Sequence, residues 1–268
     1  MMHLVILLWV GCASATVCIL PEPCAPIILA PPKDNPGLGH QLATLFTGAA
    51  FASEKHSLYL ARGWFQSKHG NYSMMEKYIR VPIASSDGTY AFGNPESCCG
   101  EWCFTSRPYA VQMGMAVLKP YLDIPCHLQR GLVVWHFRTG DITLVQSKAA
   151  ILRMRDTIHR RHQLGLRHVF ISQHPIHVPF DGATLHVGRT IEEDVHLLLS
   201  AQIVVGTGSS LPIMLHALSG ASGCPQMSYQ FPAKEIKKGY TARIRSLITH
   251  RFFYTPNTVY VDWEGRMI

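Results

Sequence analysis

Arg138 and Asp141 stand three residues apart, directly after the apolar run 132–137 (LVVWHF). The β-branched and aromatic residues of this run predict a buried strand that ends in a cation, a glycine and a carboxylate. Ligands bind outside the carboxyl ends of strands in open α/β sheets, because the loops there hold side chains over a crevice. Arg138 and Asp141 are therefore candidate catalytic residues, although Asp141 also suits a carboxylate that caps a polar turn.

A second group of polar residues, Ser209 and Ser210, stands at the start of a predicted helix. Residues 193–210 read as an amphipathic helix, a buried strand and a turn of glycines and hydroxyls that opens the next helix at Leu211. Free backbone N–H groups and hydroxyls at a helix N-terminus form an anion site. If both polar groups lie at strand ends of one sheet, they can clamp a diphosphate between them.

The elements that must position these residues alternate along the second half of the chain. The predicted strands are residues 132–137, 168–172, 184–187 and 203–206, and the predicted helices are residues 149–163, 191–201 and 211–218. This alternation predicts a parallel, doubly wound α/β sheet. A late strand is predicted at residues 258–262.

The first half is less regular. It is predicted to hold strands at 25–30 and 58–60, helices at 42–52 and 111–122, and a long irregular stretch at 84–107. A stretch of that length is typical of a binding lid or a disulfide-stapled insertion. The turn at residues 37–41 (GLGHQ) lacks the Lys-Ser/Thr of a P-loop and the third glycine of a dinucleotide fingerprint. It suits close helix packing and ligand binding equally.

The composition describes a protein with a substantial core and a basic surface. The chain has 268 residues, of which 47% are hydrophobic, and a formal net charge of +7. Its length lies between one large and two small domains. The charge suits an anionic ligand such as a nucleotide or an acidic glycan, and no basic run indicates a nucleic-acid surface.

The N-terminus predicts entry into the secretory pathway. The apolar residues 4–10 precede the small residues of 12–15 (CASA), so residues 1–15 are interpreted as a signal peptide or short anchor. The run is shorter than the roughly 20 residues that span a bilayer, which favours cleavage; a buried first strand is the alternative. We therefore expect the protein in the ER or Golgi lumen, or secreted.

An oxidising lumen allows the eight cysteines to form disulfides. Cys98, Cys99 and Cys103 can instead form half of a zinc site, completed by His127 or His69. No second pair has finger or ribbon spacing, so we predict disulfides and no metal site. Residues 71–73 (NYS) form a glycosylation sequon.

Three segments, taken together, resemble one enzyme family. Residues 136–141 (HFRTGD) match the His-x-Arg-x-Gly-Asp hexapeptide of the α1,2-, α1,6- and protein O-fucosyltransferases in full. Residues 37–42 (GLGHQL) resemble the Gly-x-Gly-Asn-Gln loop of that family, and residues 194–210 resemble its donor-binding helix, strand and serine pair. The resemblance covers about half of the chain in the right order.

The resemblance implies a GT-B-like α/β fold of two Rossmann-like halves with parallel sheets and a donor site mainly in the C-terminal half. It assigns residues 16–127 to an acceptor-side domain and residues 128–268 to a nucleotide-sugar-binding domain. The implied reaction is transfer of fucose from GDP-fucose to a glycan or glycoprotein hydroxyl, with inversion, without a metal and without a cofactor besides the donor substrate.

The resemblance also implies roles for single residues. Arg138 would hold the β-phosphate, and His136 and Asp194 would contact guanine. The remaining donor-site residues are the serine pair at the phosphates and the N-terminal loop: Ser209, Ser210, Gly37, Gly39 and His40. The alternatives are that Asp194 only caps its helix and that Arg138 pairs with Asp141 on the surface.

The chain departs from the family pattern at three points. His40 replaces the asparagine of the loop, Thr139 replaces a second basic residue of the α1,6 enzymes, and no glutamate follows Asp141 closely. The general base is Asp141, Asp34 or His40. Two rival functions remain: a GT-B transferase that uses another nucleotide sugar, and a catalytically silent glycan- or nucleotide-binding protein on the same fold.

Overall fold

The structure is a computed structural model. It describes residues 26–29, 37–50, 57–67, 70–85, 91–92, 110–137, 139, 146–162, 165–231, 257–262 and 264–267. Several predicted features lie outside these residues: the leader at 1–15, most of the irregular stretch at 84–107, and Asp34, His69, Cys98, Cys99, Cys103, Arg138 and Asp141.

The N-terminal half contains a small parallel sheet in the order β2-β1-β5. Its elements are β1 (Ile27–Leu29), α1 (Leu38–Ala49), β2 (Leu58–Leu60), the antiparallel pair β3 (Gln66–Ser67) and β4 (Gly70–Asn71), β5 (Ala91–Phe92) and α2 (Ala110–Leu118). Single 3₁₀ helices span Ser73–Lys77 and Lys119–Tyr121. The predicted helix at 111–122 ends as an α-helix at Leu118 because Pro120 has no backbone N–H to continue it.

The C-terminal half is built on a six-stranded, wholly parallel sheet. Its elements are β6 (Gln129–Phe137), α3 (Lys148–His162), β7 (Arg167–Ser172), β8 (Thr184–Val187), α4 (Ile191–Ser200), β9 (Ala201–Thr207), α5 (Ser210–Ala221), β10 (Met227–Phe231) and β11 (Thr258–Tyr260). The order is β8-β7-β6-β9-β10-β11, which is the 3-2-1-4-5-6 order of Rossmann sheets. Two parallel α/β halves confirm the predicted fold class.

β6 is apolar along most of its length because helices cover both faces of the sheet. Trp135 and Phe137 face a core that they share with α3, whereas Val134 faces a second core with α4 and α5. The second core also contains residues of β1, β2, α1 and α2. The two halves are therefore joined by one continuous apolar core.

Two covalent or ionic contacts add to this junction. Cys126, in the connection that precedes β6, forms a disulfide with Cys224, just after α5, with a Cα–Cα distance of 5.5 Å. Lys77 of the N-terminal half pairs with Glu192 of α4 at 3.2 Å between Nζ and Oε1, where both side chains are exposed. No helix among the described residues is long and apolar enough to cross a membrane.

The elements that were not predicted are short or carry polar residues. β10 has Ser228 and Gln230 on one face, both fully buried, so its sequence lacks the apolar run of its neighbours. β11 ends at Tyr260, two residues before the predicted end, because Asp262 accepts hydrogen bonds from the backbone N–H groups of Glu264 and Arg266. A turn replaces the strand there.

Candidate functional site

The strand order of the large sheet reverses between β6 and β9. The chain continues from β6 to β7 on one side and from β9 to β10 on the other, which opens a crevice outside the carboxyl ends of the two strands. Thr207 Oγ1 donates to the carbonyl of His136 at 3.0 Å and fixes these two ends together. His136 of the predicted hexapeptide and the turn that carries Ser209 and Ser210, here called the serine turn, therefore flank the same crevice.

The serine turn begins α5 without a capping side chain. Ser209 is the N-cap residue, with φ −88° and ψ 140°, and its side chain makes no cap hydrogen bond. Ser209 is buried, and Ser210 is half-buried as the first helical residue. The first backbone N–H groups of a helix have no partner within the helix, so this end can bind an anion.

The glycine loop of the N-terminal half lies against this end of α5. α1 begins after Gly37, which likewise provides no side-chain cap, and the backbone N–H of His40 donates to the carbonyl of Gly37 at 2.9 Å. A Cβ added to Gly39 would stand 2.4 Å from the backbone nitrogen of Leu211 and 2.6 Å from Ser210 Oγ. Two helix N-termini thus converge, and their dipoles place positive potential at one point.

Gly39→Ala should destabilise the fold, because the new methyl group cannot fit against the backbone of α5. We expect a loss of about 1–3 kcal/mol in the free energy of unfolding, as for other overpacked sites. Gly37→Ala is the matched control, since a Cβ there meets nothing within 4 Å. Chemical denaturation of both variants measures the difference, and equal stabilities would refute the close contact.

Asp194 lies in the first turn of α4, which starts at the carboxyl edge of the sheet because it follows β8. The helix is capped by Thr190, whose Oγ1 accepts from the Glu193 N–H at 3.3 Å, while Glu193 Oε2 accepts from the Thr190 N–H at 2.9 Å. Thr190 and Glu193, and not Asp194, therefore form the capping box of α4.

Asp194 is half-buried. Its Oδ1 is buried, with no hydrogen-bond partner within the described part of the chain. Burial raises the pKa of Asp194 to about 6; nearby Arg189 lowers it, and Glu193 raises it further. A buried acceptor without a partner suits a ligand that presents N–H groups.

His136 lies on the face of the sheet that α4 and α5 cover, since its neighbours Trp135 and Phe137 face α3. It is half-buried and in register with Gly206 of β9, which is in register with Gln230 of β10. A Cβ at Gly206 would meet Gln230 Oε1 at 2.0 Å, so the amide of Gln230 fills the space beside the glycine. A glycine inside a strand signals such a close approach, but the sequence did not indicate which side chain makes it.

Thr139 has a structural role where the α1,6 enzymes have a second basic residue. Its Oγ1 lies 2.9 Å from Ser172 Oγ and accepts from the His174 N–H at 2.9 Å. These bonds tie the chain after β6 to the end of β7. Thr139 therefore shapes the crevice and supplies no charge to it.

The structure brings four of the nine predicted site residues together. Gly39 contacts Ser210, Ser209 is the residue at the N-cap position of the same helix, and His136 lies at the adjoining strand end. Among the candidate bases, only His40 belongs to the described residues. Within these residues no three His, Cys, Asp or Glu side chains form a group that could hold a metal ion.

No protein-family model matches the chain, and no curated protein matches it. Among solved structures, the chain is similar to TibC, a bacterial iron-containing dodecameric glycosyltransferase from enterotoxigenic E. coli H10407. The identity is 14% and the TM-score 0.47, over 90% of this chain and 63% of that one. The chain thus spans less than two thirds of the TibC chain.

The chain is also similar to the E. coli heptosyltransferase WaaC. The structure of WaaC with ADP gives 12% identity and a TM-score of 0.48, over 88% of this chain and 93% of that one. The structure with ADP-2-deoxy-2-fluoro heptose gives 11% identity and a TM-score of 0.44, over 88% and 92%. Likenesses of this size assign no activity to this chain.

Proposed function

We propose that the protein is a glycosyltransferase that transfers fucose from GDP-fucose to a hydroxyl of a glycan or glycoprotein, with inversion. One observation carries the proposal: the HFRTGD hexapeptide begins with His136 and Phe137, the last two residues of β6, at the reversal point of a Rossmann-ordered sheet where Ser209 and Ser210 start α5 after the neighbouring strand. That crevice is where such sheets bind nucleotides. The second converging helix, α1, adds positive potential from the N-terminal half.

The proposed reaction is a single displacement. The bond between the fucose anomeric carbon and the β-phosphate oxygen breaks, and the acceptor oxygen bonds to that carbon from the opposite face. Negative charge builds up on the departing GDP, where Arg138 and the first N–H groups of α5 stabilise it without needing to reorganise. The acceptor hydroxyl loses its proton to a base, which is Asp141, Asp34 or His40.

Asp194 supports guanine as the base of the donor. An ionised carboxylate accepts from both the N1–H and the exocyclic amine of guanine. Asp194 Oδ1 is a buried acceptor that the described residues leave without a donor. A pyrimidine base does not offer that pair of donors, so the same carboxylate would discriminate between nucleotides.

Asp194→Asn should weaken GDP binding more than UDP or pyrophosphate binding. The amide presents a donor to guanine's donors, a mismatch that costs roughly 1–3 kcal/mol, or roughly 5- to 150-fold in affinity. Calorimetric titration of the three ligands measures this difference. Glu192→Gln, on the same helical turn, is the control and should leave all three affinities unchanged.

The same residue predicts a pH dependence. The pKa of Asp194 is raised to about 6, so the carboxylate protonates below that pH and one acceptor becomes a donor. The preference for GDP over UDP should therefore fall below about pH 6, while phosphate titration cancels because both ligands carry a diphosphate. A preference that stays constant with pH, or that persists in Asp194→Asn, would contradict guanine recognition by this carboxylate.

We also propose that the protein works in the secretory pathway. The Cys126–Cys224 disulfide supports this, because disulfides persist in oxidising compartments. Asn71 of the sequon is exposed, as a glycosylated residue must be. The leader-like residues 1–15 fit the same route.

Thermal unfolding with GDP, UDP, ADP and CMP tests the proposed donor class. A ligand at 100 times its Kd stabilises the native state by about 2.7 kcal/mol. Stabilisation by GDP alone supports a GDP-sugar donor. Stabilisation by another nucleotide alone would assign a different donor, and stabilisation by none of them would contradict nucleotide-dependent transfer.

A further inference from the structure

Three hydrogen-bonded side chains lead from the core of the C-terminal half to its surface, on the face of the large sheet that α3 covers. Nε1–H of Trp135 on β6 donates to Nδ1 of His168 on β7 at 3.0 Å, and Nε2 of His168 lies 2.9 Å from Nε2 of His159 on α3. Trp135 and His168 are buried, whereas His159 is exposed. We call these three side chains the His168 cluster.

The indole of Trp135 fixes the positions of the protons in the His168 cluster. An indole N–H can only donate, so Nδ1 of His168 is its unprotonated nitrogen and the proton of that ring lies on Nε2. Nε2 of His168 then donates to Nε2 of His159, which must also be unprotonated. Both imidazoles are therefore neutral, and each hydrogen bond joins one donor to one acceptor.

An added proton cannot enter the His168 cluster without breaking one of these bonds. A protonated imidazole carries an N–H on both nitrogens, so a cationic His159 would point a donor at the donor of His168. If His168 moved its own proton to Nδ1, that N–H would face the N–H of Trp135 instead. In both cases a buried donor loses its acceptor, which is strongly unfavourable.

The charged and titratable groups around His168 come from α3 and from the segment before β8. Arg155, Asp156 and His159 of α3, and Asp181 before β8, line one cavity with His168. Asp156 is paired with Arg155 at 2.7 Å, and β6 contributes a neutral indole. Burial, helped by nearby His159 and Arg155, lowers the pKa of His168 to about 4.

We propose that the His168 cluster is an acid-sensitive latch that joins β6, β7 and α3 at neutral pH and breaks when the solution becomes acidic. Trp135 directly precedes His136 and stacks on Phe170 of β7 with 5.2 Å between ring centroids, so a broken latch loosens the strand that ends at the crevice. The protein would be less stable in an acidic compartment than in a neutral one. This proposal does not rest on the proposed transferase function.

The expected loss of stability follows from proton uptake by His168. The unfolded chain takes up this proton below the ordinary pKa of 6.5, whereas the native protein takes it up only near pH 4. The stabilisation is therefore complete above about pH 6.5 and is lost as the pH falls toward about 4. This corresponds to a roughly 100-fold rise in the unfolding equilibrium constant between about pH 7 and pH 4.

Urea denaturation of the full chain across this pH range tests the latch, with His168→Gln as the variant. Glutamine offers an acceptor to Trp135 and a donor to His159 but takes up no proton. We expect its unfolding constant to rise roughly 100-fold less than that of the wild type. His177→Gln, at an exposed histidine, is the matched control and should follow the wild type. A His168→Gln profile parallel to that of the wild type would overturn the proposal.

Trp135→Phe distinguishes the latch from simple burial of His168. Phenylalanine keeps an aromatic ring against Phe170 but removes the N–H, so Nδ1 of His168 can accept a proton. Nitrogen NMR of the imidazoles should show the His168 proton on Nε2 in the wild type, and a titration midpoint that is higher by about one pH unit or more in Trp135→Phe. A wild-type proton on Nδ1, or equal midpoints in the two proteins, would refute the latch even if His168→Gln fails to fold.

Discussion

Replacing Arg138 with alanine should lower the proposed fucose transfer by at least about 100-fold, comparable to removing one preorganised donor at an oxyanion. In the proposed mechanism, the contact of Arg138 with the departing β-phosphate strengthens as negative charge accumulates there, so the loss falls on the transition state more than on the bound donor. Arg138→Lys keeps the charge but loses the planar fork, and it should be impaired as well. We expect both variants to fold and to be secreted.

The measurement is kcat at saturating GDP-fucose with an acceptor that the wild type uses. The competing interpretation is a surface ion pair between Arg138 and Asp141, which is worth about 0–1 kcal/mol. Arg130→Ala is the matched control, because Arg130 is an exposed arginine at the opposite, amino end of the same strand. An Arg138→Ala enzyme within a few-fold of the wild type would remove this arginine from the mechanism.

Loss of the Cys126–Cys224 disulfide should cost more stability than the Gly39 substitution. The two residues are 98 positions apart, and in the chain-entropy view a loop of about 100 residues gives about 4.7 kcal/mol. Measured losses for native disulfides run at about 2–5 kcal/mol. We therefore expect Cys126→Ser combined with Cys224→Ala to lower the free energy of unfolding by that amount.

Urea denaturation of the double variant, without reductant, measures this loss. Alanine is used at Cys224 because that position is 4% exposed and a hydroxyl would be buried there. Wild-type protein in excess reductant is the matched comparison and should unfold at a similar midpoint. If the double variant matches the oxidised wild type within about 0.5 kcal/mol, as a neutral surface change would, the two thiols are not paired.

The sequence predicted the centre of the large sheet well because the central strands are buried on both faces. β6, β7 and β9 are nearly continuous apolar runs, and the helices between them follow helical spacing. β10 was missed for the opposite reason, since Ser228 and Gln230 are buried polar residues on one face. Burial of that face is decided by neighbouring elements, and local patterns do not contain that information.

The candidate site was predicted in its parts and not in its contacts. The resemblance assigned Gly39 and Ser210 to one site. Only the fold shows that Gly39 packs against Ser210 and the backbone of Leu211. Eight cysteines permit many pairings, so the bond between Cys126 and Cys224 was beyond sequence reasoning. The capping box of α4 was also not predicted, although the Thr190–Glu193 spacing that forms it is visible in the sequence.

The apolar core that joins the two halves has a consequence for the ancestry of the chain. α1 and α2 from one half pack with α5 from the other, so each half covers an apolar surface of its neighbour. A chain cut between the halves would leave two fragments that each expose such a surface to water. Modular exchange at this boundary would fail unless the incoming half carried a matching surface, so the two halves are constrained to change together.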